Sequence, residues 1–248
     1  MTAERERALR EALDGLRISY DPDAPRRLLV YHDLLCDWNT RVNLTGDADF
    51  DAALDRHYTD SLAPLALEGL FPVNAALADV GSGAGFPGLP LAVARPDLRV
   101  TLLDCRAKRV AFLNAAVKEL GLANARVLHA RAEDAGRDPG LRERFDVAAA
   151  RAVAPLDVLC ELLLPLVKVQ GKMVCYKGPA AGDEWEAGNR AAALLGGGTL
   201  SVLPVSLPRQ PEWRHTVFVS EKMEKTVPQY PRKAGDPSRF PLGQSGKT

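Results

Sequence analysis

"LADVGSGAGFPGLPLAV", residues 77–93, decides the fold. An apolar run ends at Val80, glycines alternate at Gly81, Gly83 and Gly85, and a second apolar run carries Pro87 and Pro90. The pattern reads as a buried strand, a tight turn and a helix. Glycine tolerates positive φ and lets the main chain approach a ligand closely, and in a doubly wound sheet that turn sits at the carboxyl end of the first strand. The spacing is GxGxG. A dinucleotide loop, GxGxxG, would need a glycine where this chain has Phe86, which disfavours an NAD-dependent oxidoreductase. A Walker loop would need a lysine that does not follow these glycines. A ligand with an adenosine but no phosphate fits better, and S-adenosylmethionine is such a ligand.

Outward from this loop, "ALADV", "RVTLLD", "ARVLHA", "FDVAAARAV" and "KMVCYKG" read as buried strands alternating with helical segments such as "RAKRVAFLNAAVKELG". The alternation predicts an α/β fold, a Rossmann-like, mostly parallel seven-stranded sheet. "GGTLSVLPVSL" and "RHTVFVSEK" follow one another without a helix, so the sheet should finish with an antiparallel strand. Upstream, Leu9, Leu13 and Leu16, then Leu28, Leu29, Leu34, Leu35 and Trp38, show helical spacing. The expected organisation is an N-terminal helical region over 1–75, a cofactor-binding domain over 76–222, and a basic, Pro/Gly-rich, irregular tail over 223–248.

Composition narrows the function. The 248 residues are 46% hydrophobic and 26% charged, with zero formal net charge, as in a soluble globular protein. No apolar run approaches the length of a membrane span, and the charged start "MTAERERALREALDGL" lacks a signal core, which predicts a cytoplasmic protein. Cys36, Cys105, Cys160 and Cys175 are scattered, as are the four histidines, so neither a disulfide framework nor a metal is expected. The second strand ends in Asp104, a position suited to ribose hydroxyls or to capping the helix that begins near Cys105 and Arg106. After the third strand, Glu133 and Asp134 offer acceptors for an adenine amine. Arg151 alone reads as one half of an ion pair. The tail carries Lys225, Arg232, Lys233, Arg239 and Lys247 against Asp236, a charge balance suited to phosphate contacts.

"DVGSGAGFPGLPLA", "LLDCRAKRVAFL", "ARAEDA", "ARAVAPL", "YKGP" and "EWRHTVFV" occur in order, preceded by "WNTRVNLT" and "RHYTDSL" and followed by "YPRKAGDPSRFPL". With these motifs the chain, from about Trp38 to Leu242, resembles the RsmG (GidB) family of bacterial small-subunit ribosomal RNA methyltransferases. The resemblance implies a class I methyltransferase fold and methyl transfer from S-adenosylmethionine to N7 of a guanine in 16S rRNA. Its substrate would be the RNA, the small subunit or an assembly intermediate, and the protein a monomer. The cofactor set comprises Gly81, Gly83, Gly85 and Phe86 of the loop, Asp104 with Cys105 and Arg106, the pair Ala132 and Glu133, and Arg151, which is also the positioning candidate at the reacting centre. RNA contacts are expected from Lys177, Arg214, Arg232 and Lys233, and further from Arg56 and His57. Guanine N7 has a free lone pair and no proton, so no general base is expected. Consistently, the chain has neither a Pro-Cys dipeptide for attack through pyrimidine C5 nor an [ND]PP[YF] motif for an exocyclic amine. The alternatives are a small-molecule methyltransferase with the same cofactor site, which would not need a basic tail, and a non-catalytic cofactor-binding regulator.

Overall fold

The computed structural model describes residues 2–46 and 48–244. In it the apolar run before the glycines is strand β1 (Ala76–Val80), buried along nearly its whole length. It pairs in parallel with β2 (Arg99–Asp104) on one side and β4 (Phe145–Arg151) on the other. β3 (Ala125–His129) and β5 (Val167–Lys177) extend the parallel set outward. β6 (Ser201–Val205) and β7 (His215–Glu221) pair antiparallel without an intervening helix, and the sheet order is β3-β2-β1-β4-β5-β7-β6. The antiparallel strand, β7, is last in the chain, but in space it lies between β5 and β6, leaving β6 at the edge.

The helices cover both faces. α1 (Thr2–Gly15), α2 (Ala24–Asn39), α5 (Gly88–Ala94) and α6 (Ala107–Glu119) lie on one side, where Leu13, Leu28, Leu89 and Phe112 pack with Leu77 and Val100 in one apolar cluster. α7 (Ala132–Ala135), α8 (Leu156–Leu163) and α9 (Trp185–Leu194) cover the other, where Ala78 and Val80 meet Leu159, Leu163 and Phe218. β1 thus alternates its side chains between two cores, as the two-residue strand period requires. The N-terminal helices share a core with the sheet. Between α2 and β1 the chain runs through α3 (Phe50–Ala53), a π-helical stretch over Leu54–Thr59 and a short α4 (Asp60–Leu62). After β7 it forms an irregular segment with a single helical turn, α10 (Asp236–Arg239).

Strand order reverses between β1 and β4, the switch point at which open α/β sheets bind ligands beyond the carboxyl ends of their strands. The chain features at that point are the glycine loop after Val80 and Arg151 at the end of β4.

Candidate active site

The glycine loop is shaped by its three positive φ angles, +74° at Gly81, +59° at Gly83 and +100° at Gly85. The amides of Gly81 and Ser82 both donate to the Leu103 carbonyl, which ties the loop to the end of β2. At Gly85 a Cβ would stand 2.4 Å from Leu89 Cδ1 and 2.9 Å from the Tyr31 hydroxyl, and that hydroxyl donates to the Ala84 carbonyl. Gly85→Ala should therefore cost about 2–3 kcal/mol in chemical denaturation, combining left-handed strain with overpacking. A loss below about 0.5 kcal/mol, the scale of an ordinary surface change, would contradict the packing.

Beneath the loop lies Asp79, fully buried, whose Oδ2 accepts from the Gly88 amide at 3.1 Å while Oδ1 has no hydrogen-bond partner among the described residues. Burial pushes its carboxyl from the ordinary 3.8 up to about 7. The unfolded chain releases this proton near 3.8 and the folded protein near 7, so stability is full below the lower value, falls between the two and stays reduced above. Asp79→Asn should accordingly leave stability unchanged at pH 3 and raise it at pH 8 by about 4 kcal/mol, roughly three pK units at about 1.4 kcal/mol each. Equal effects at the two pH values would show that the group does not titrate.

Asp104 is buried and serves the loop directly: its Oδ2 accepts the Gly83 amide at 2.9 Å and its Oδ1 the Arg106 amide at 2.8 Å. Asp104 therefore closes the turn before α6 and does not cap the helix, whose N-cap position is Arg106 without a side-chain cap, and each of its oxygens keeps a lone pair for a ligand hydroxyl. Cys105 and Arg106 are exposed beside it, and Arg109 stands 3.7 Å from Oδ2. Ala132 and Glu133 open α7 at the end of β3, and Glu133 Oε1 accepts the Gly235 amide at 2.8 Å.

Arg151 joins this surface to a cavity. Its guanidinium lies 4.9 Å from the centre of the Phe86 ring, and the imidazole of His57 stacks on the same ring at 4.6 Å. It donates to the Arg56 carbonyl and to Asp60 Oδ2, both at 2.8 Å, and approaches His57 Nδ1 at 3.3 Å. Asp60 Oδ1 in turn holds His215 Nδ1 at 2.7 Å. Burial raises the pKa of Asp60, but the His215 hydrogen bond and the Arg151 charge and hydrogen bond outweigh it and hold the carboxyl below its ordinary value. Ala152, directly after Arg151, has φ +55°, a non-glycine residue in the left-handed region at the mouth of the site.

The cavity measures about 750 Å³ and is lined on its basic side by Arg56, Arg151, Lys177, Arg214 and His215, with Trp213 and Tyr176 as its aromatic walls. Trp213 stacks on His215, and the Arg56 guanidinium lies 5.7 Å from the Trp213 ring centre. Lys177 is held by the Ala154 carbonyl and Glu184, each at 2.8 Å. Of the residues expected to contact RNA, Arg56, His57, Lys177 and Arg214 therefore converge here.

The tail residues do not. Arg232 is committed to the fold: its main-chain amide and guanidinium both bind the carboxylate of Glu161, a fully buried residue of α8, at 2.5–3.1 Å. An unpaired carboxylate at that depth would be too costly, so the arginine faces inward. Lys233 is exposed and outside the cavity lining, and Lys247 lies outside the described residues. The reading from sequence missed Asp79, Asp60, His215 and Trp213. Asp60 follows Arg56 and His57 by about one helical turn, which is the signal that would have placed it on their face.

The family model described as "GidB: rRNA small subunit methyltransferase G" matches residues 25–211. The "Ribosomal RNA small subunit methyltransferase G" of Geobacillus kaustophilus (strain HTA426) is 44% identical over 212 residues, covering 86% of this chain and 88% of its own. The protein of that name from Alkaliphilus metalliredigens (strain QYMF) is 39% identical over 239 residues, 96% of this chain and 99% of its own. Among solved structures, a predicted O-methyltransferase from Agrobacterium tumefaciens superposes with a TM-score of 0.52 at 18% identity, over 66% of this chain and 80% of that one, a likeness of fold alone. Matched by the family model over residues 25–211 and by relatives along nearly its whole length, the chain belongs to the GidB family of rRNA small subunit methyltransferases.

Proposed function

We propose that this chain transfers a methyl group from S-adenosylmethionine to N7 of a guanine in 16S rRNA. The observation that carries the reading is the continuity through Arg151, which rests on Phe86 of the glycine loop and lines the basic, aromatic cavity. The donor set fits the cofactor: bare glycine backbone at Gly81 and Gly83, a carboxylate at Asp104 for ribose hydroxyls, a carboxylate at Glu133 for an amine, and no lysine of a phosphate loop. Phe86 and Arg151 complete that set.

When bound, S-adenosylmethionine supplies an electrophilic methyl group on a sulfonium. The protein then has to hold guanine N7 in line and exclude water, because that nitrogen attacks through its own lone pair and no base removes a proton. Arg151 is suited to positioning, since Asp60 and the Arg56 carbonyl hold it from one side and Phe86 underlies it. Arg56, Lys177 and Arg214 on the cavity wall suit an RNA backbone, and the Trp213 face suits an unstacked base. The protein acts as a monomer in the cytoplasm on the small subunit or its assembly intermediate. Among the described residues no group of side chains is arranged to hold a metal ion, and no helix is long and apolar enough to cross a membrane.

The test supplies methyl-labelled S-adenosylmethionine with naked 16S rRNA, small subunits and free nucleosides, followed by borohydride reduction and aniline scission, which cut RNA at 7-methylguanosine. Label in RNA with scission at one guanine, and a turnover rate flat across neutral pH, is the expected result. Label only in nucleosides would make the chain a small-molecule methyltransferase, and cofactor binding without transfer a regulator.

A further inference from the structure

The segment after β7 returns across the sheet to α7 and is fastened on the way. Arg142 donates to the carbonyl of Tyr230 at 2.7 Å, and Arg137 to that of Pro231 at 2.8 Å. Pro231 fills the space over Gly136, where a Cβ would meet its Cγ at 2.9 Å. Glu161 holds both the main chain and the guanidinium of Arg232. Three residues on, Gly235 adopts φ +89°, a conformation that favours glycine, and turns its amide onto Glu133 Oε1. The second oxygen, Oε2, receives no hydrogen bond from the described residues.

We propose that residues 230–235 form a positioning strap for the cofactor site: Gly235 N–H holds Glu133 Oε1 so that Oε2 is presented to the adenine amine of S-adenosylmethionine. The inference rests on the reading of Glu133 as the adenine acceptor. A free glutamate side chain samples several rotamers and must surrender that freedom on binding, whereas one already tied by an amide surrenders less. The strap supplies this tie from a part of the chain that Arg232 anchors independently of the site. The "YPRKAG" motif then has a physical division of labour: Pro231 and Arg232 fasten the segment, and Gly235 does the positioning.

A chain ending after Arg232 keeps the fastenings at Tyr230, Pro231 and Arg232 and loses the Gly235 amide together with α10 and the bond from Arg190 to the Gly243 carbonyl, so its fold is first verified by calorimetric melting. Titration calorimetry with S-adenosylhomocysteine should show it binding about ten-fold more weakly than the full chain, with Glu133→Ala weakened by a similar factor. Because the strap acts through Glu133, the combined variant should bind no more weakly than Glu133→Ala alone, a coupling that loss of a merely structural element would not produce. Gly235→Ala provides a second cycle: nothing lies within 4 Å of the added Cβ, so the change acts on the backbone angle and the aim of the amide. Additive losses, or unchanged affinity in folded variants, would overturn the strap. A full chain that binds no S-adenosylhomocysteine would instead overturn the reading of the cofactor site, and the inference with it.

Discussion

Replacing Arg232 with alanine should destabilise the protein by about 3–5 kcal/mol, the cost of leaving a buried carboxylate without its partner. Glu161 is fully buried in α8, and the ligands of its carboxylate come from Arg232: the main-chain amide at 2.7 Å and guanidinium contacts at 2.5–3.1 Å. The amide survives the substitution, the guanidinium does not, and little water reaches the vacated oxygens. At this size each kcal/mol lowers the melting temperature by about 2–4 °C, so a drop on the order of 10 °C should be seen by calorimetry. Arg232→Met combined with Glu161→Gln should recover much of the loss, because the neutral side chain removes the buried charge and keeps an oxygen to accept the residue-232 amide. Near-equal stability of Arg232→Ala and the parent would mean that the pair is solvated, and that the arginine is available to RNA after all.

Asp60→Asn should lower kcat/KM for RNA by about 100-fold, the scale on which small displacements of positioning groups act. Both oxygens of Asp60 are engaged by donors, Arg151 at 2.8 Å and His215 at 2.7 Å. An amide can satisfy only one of them and presents an N–H to the other. Removal of the charge also leaves the largely buried guanidinium of Arg151 without its acid, so it should shift off the Phe86 ring. Cofactor affinity and methyl transfer should therefore both suffer, with the fold intact. The same carboxylate sets an acid limit. Its folded pKa lies below the unfolded one, so the stability it contributes is present above the unfolded value and is lost as pH falls through the folded value. Less than a threefold loss of activity in a folded Asp60→Asn protein would show that Arg151 does not depend on it.

Much of the fold was legible in local pattern. β1, β2 and the glycine turn fall where the apolar runs and Gly81, Gly83 and Gly85 place them. The β6–β7 pair falls where the missing crossover helix predicts it. Boundaries were less legible: the first helix, read from the spacing of Leu9, Leu13 and Leu16, ends at Gly15, so Leu16 lies beyond it and Arg17 takes φ +56°. The fifth strand begins at Val167, before the apolar run at Lys172, because Val167 pairs with Phe145 of β4 and the main chain of Gln170 and Gly171 bonds Lys222 just past β7.

The site divides in the same way. Glycine spacing after the first strand, the acids Asp104 and Glu133 after the second and third, and the absence of a phosphate-loop lysine are short-range properties, each written within a few residues, and they already pointed to an adenosine-bearing ligand. Whether a given charge is free or spent is a long-range property. Asp60 meets Arg151 across 91 positions and His215 across 155, and Arg232 meets Glu161 across 71. Those partners are chosen by the packing of the N-terminal helices and the return of the tail onto α8. Only the folded chain could therefore assign Arg151 to a three-part network at the cavity and withdraw Arg232 from the surface, because desolvation and pairing depend on which distant segments the fold brings into contact.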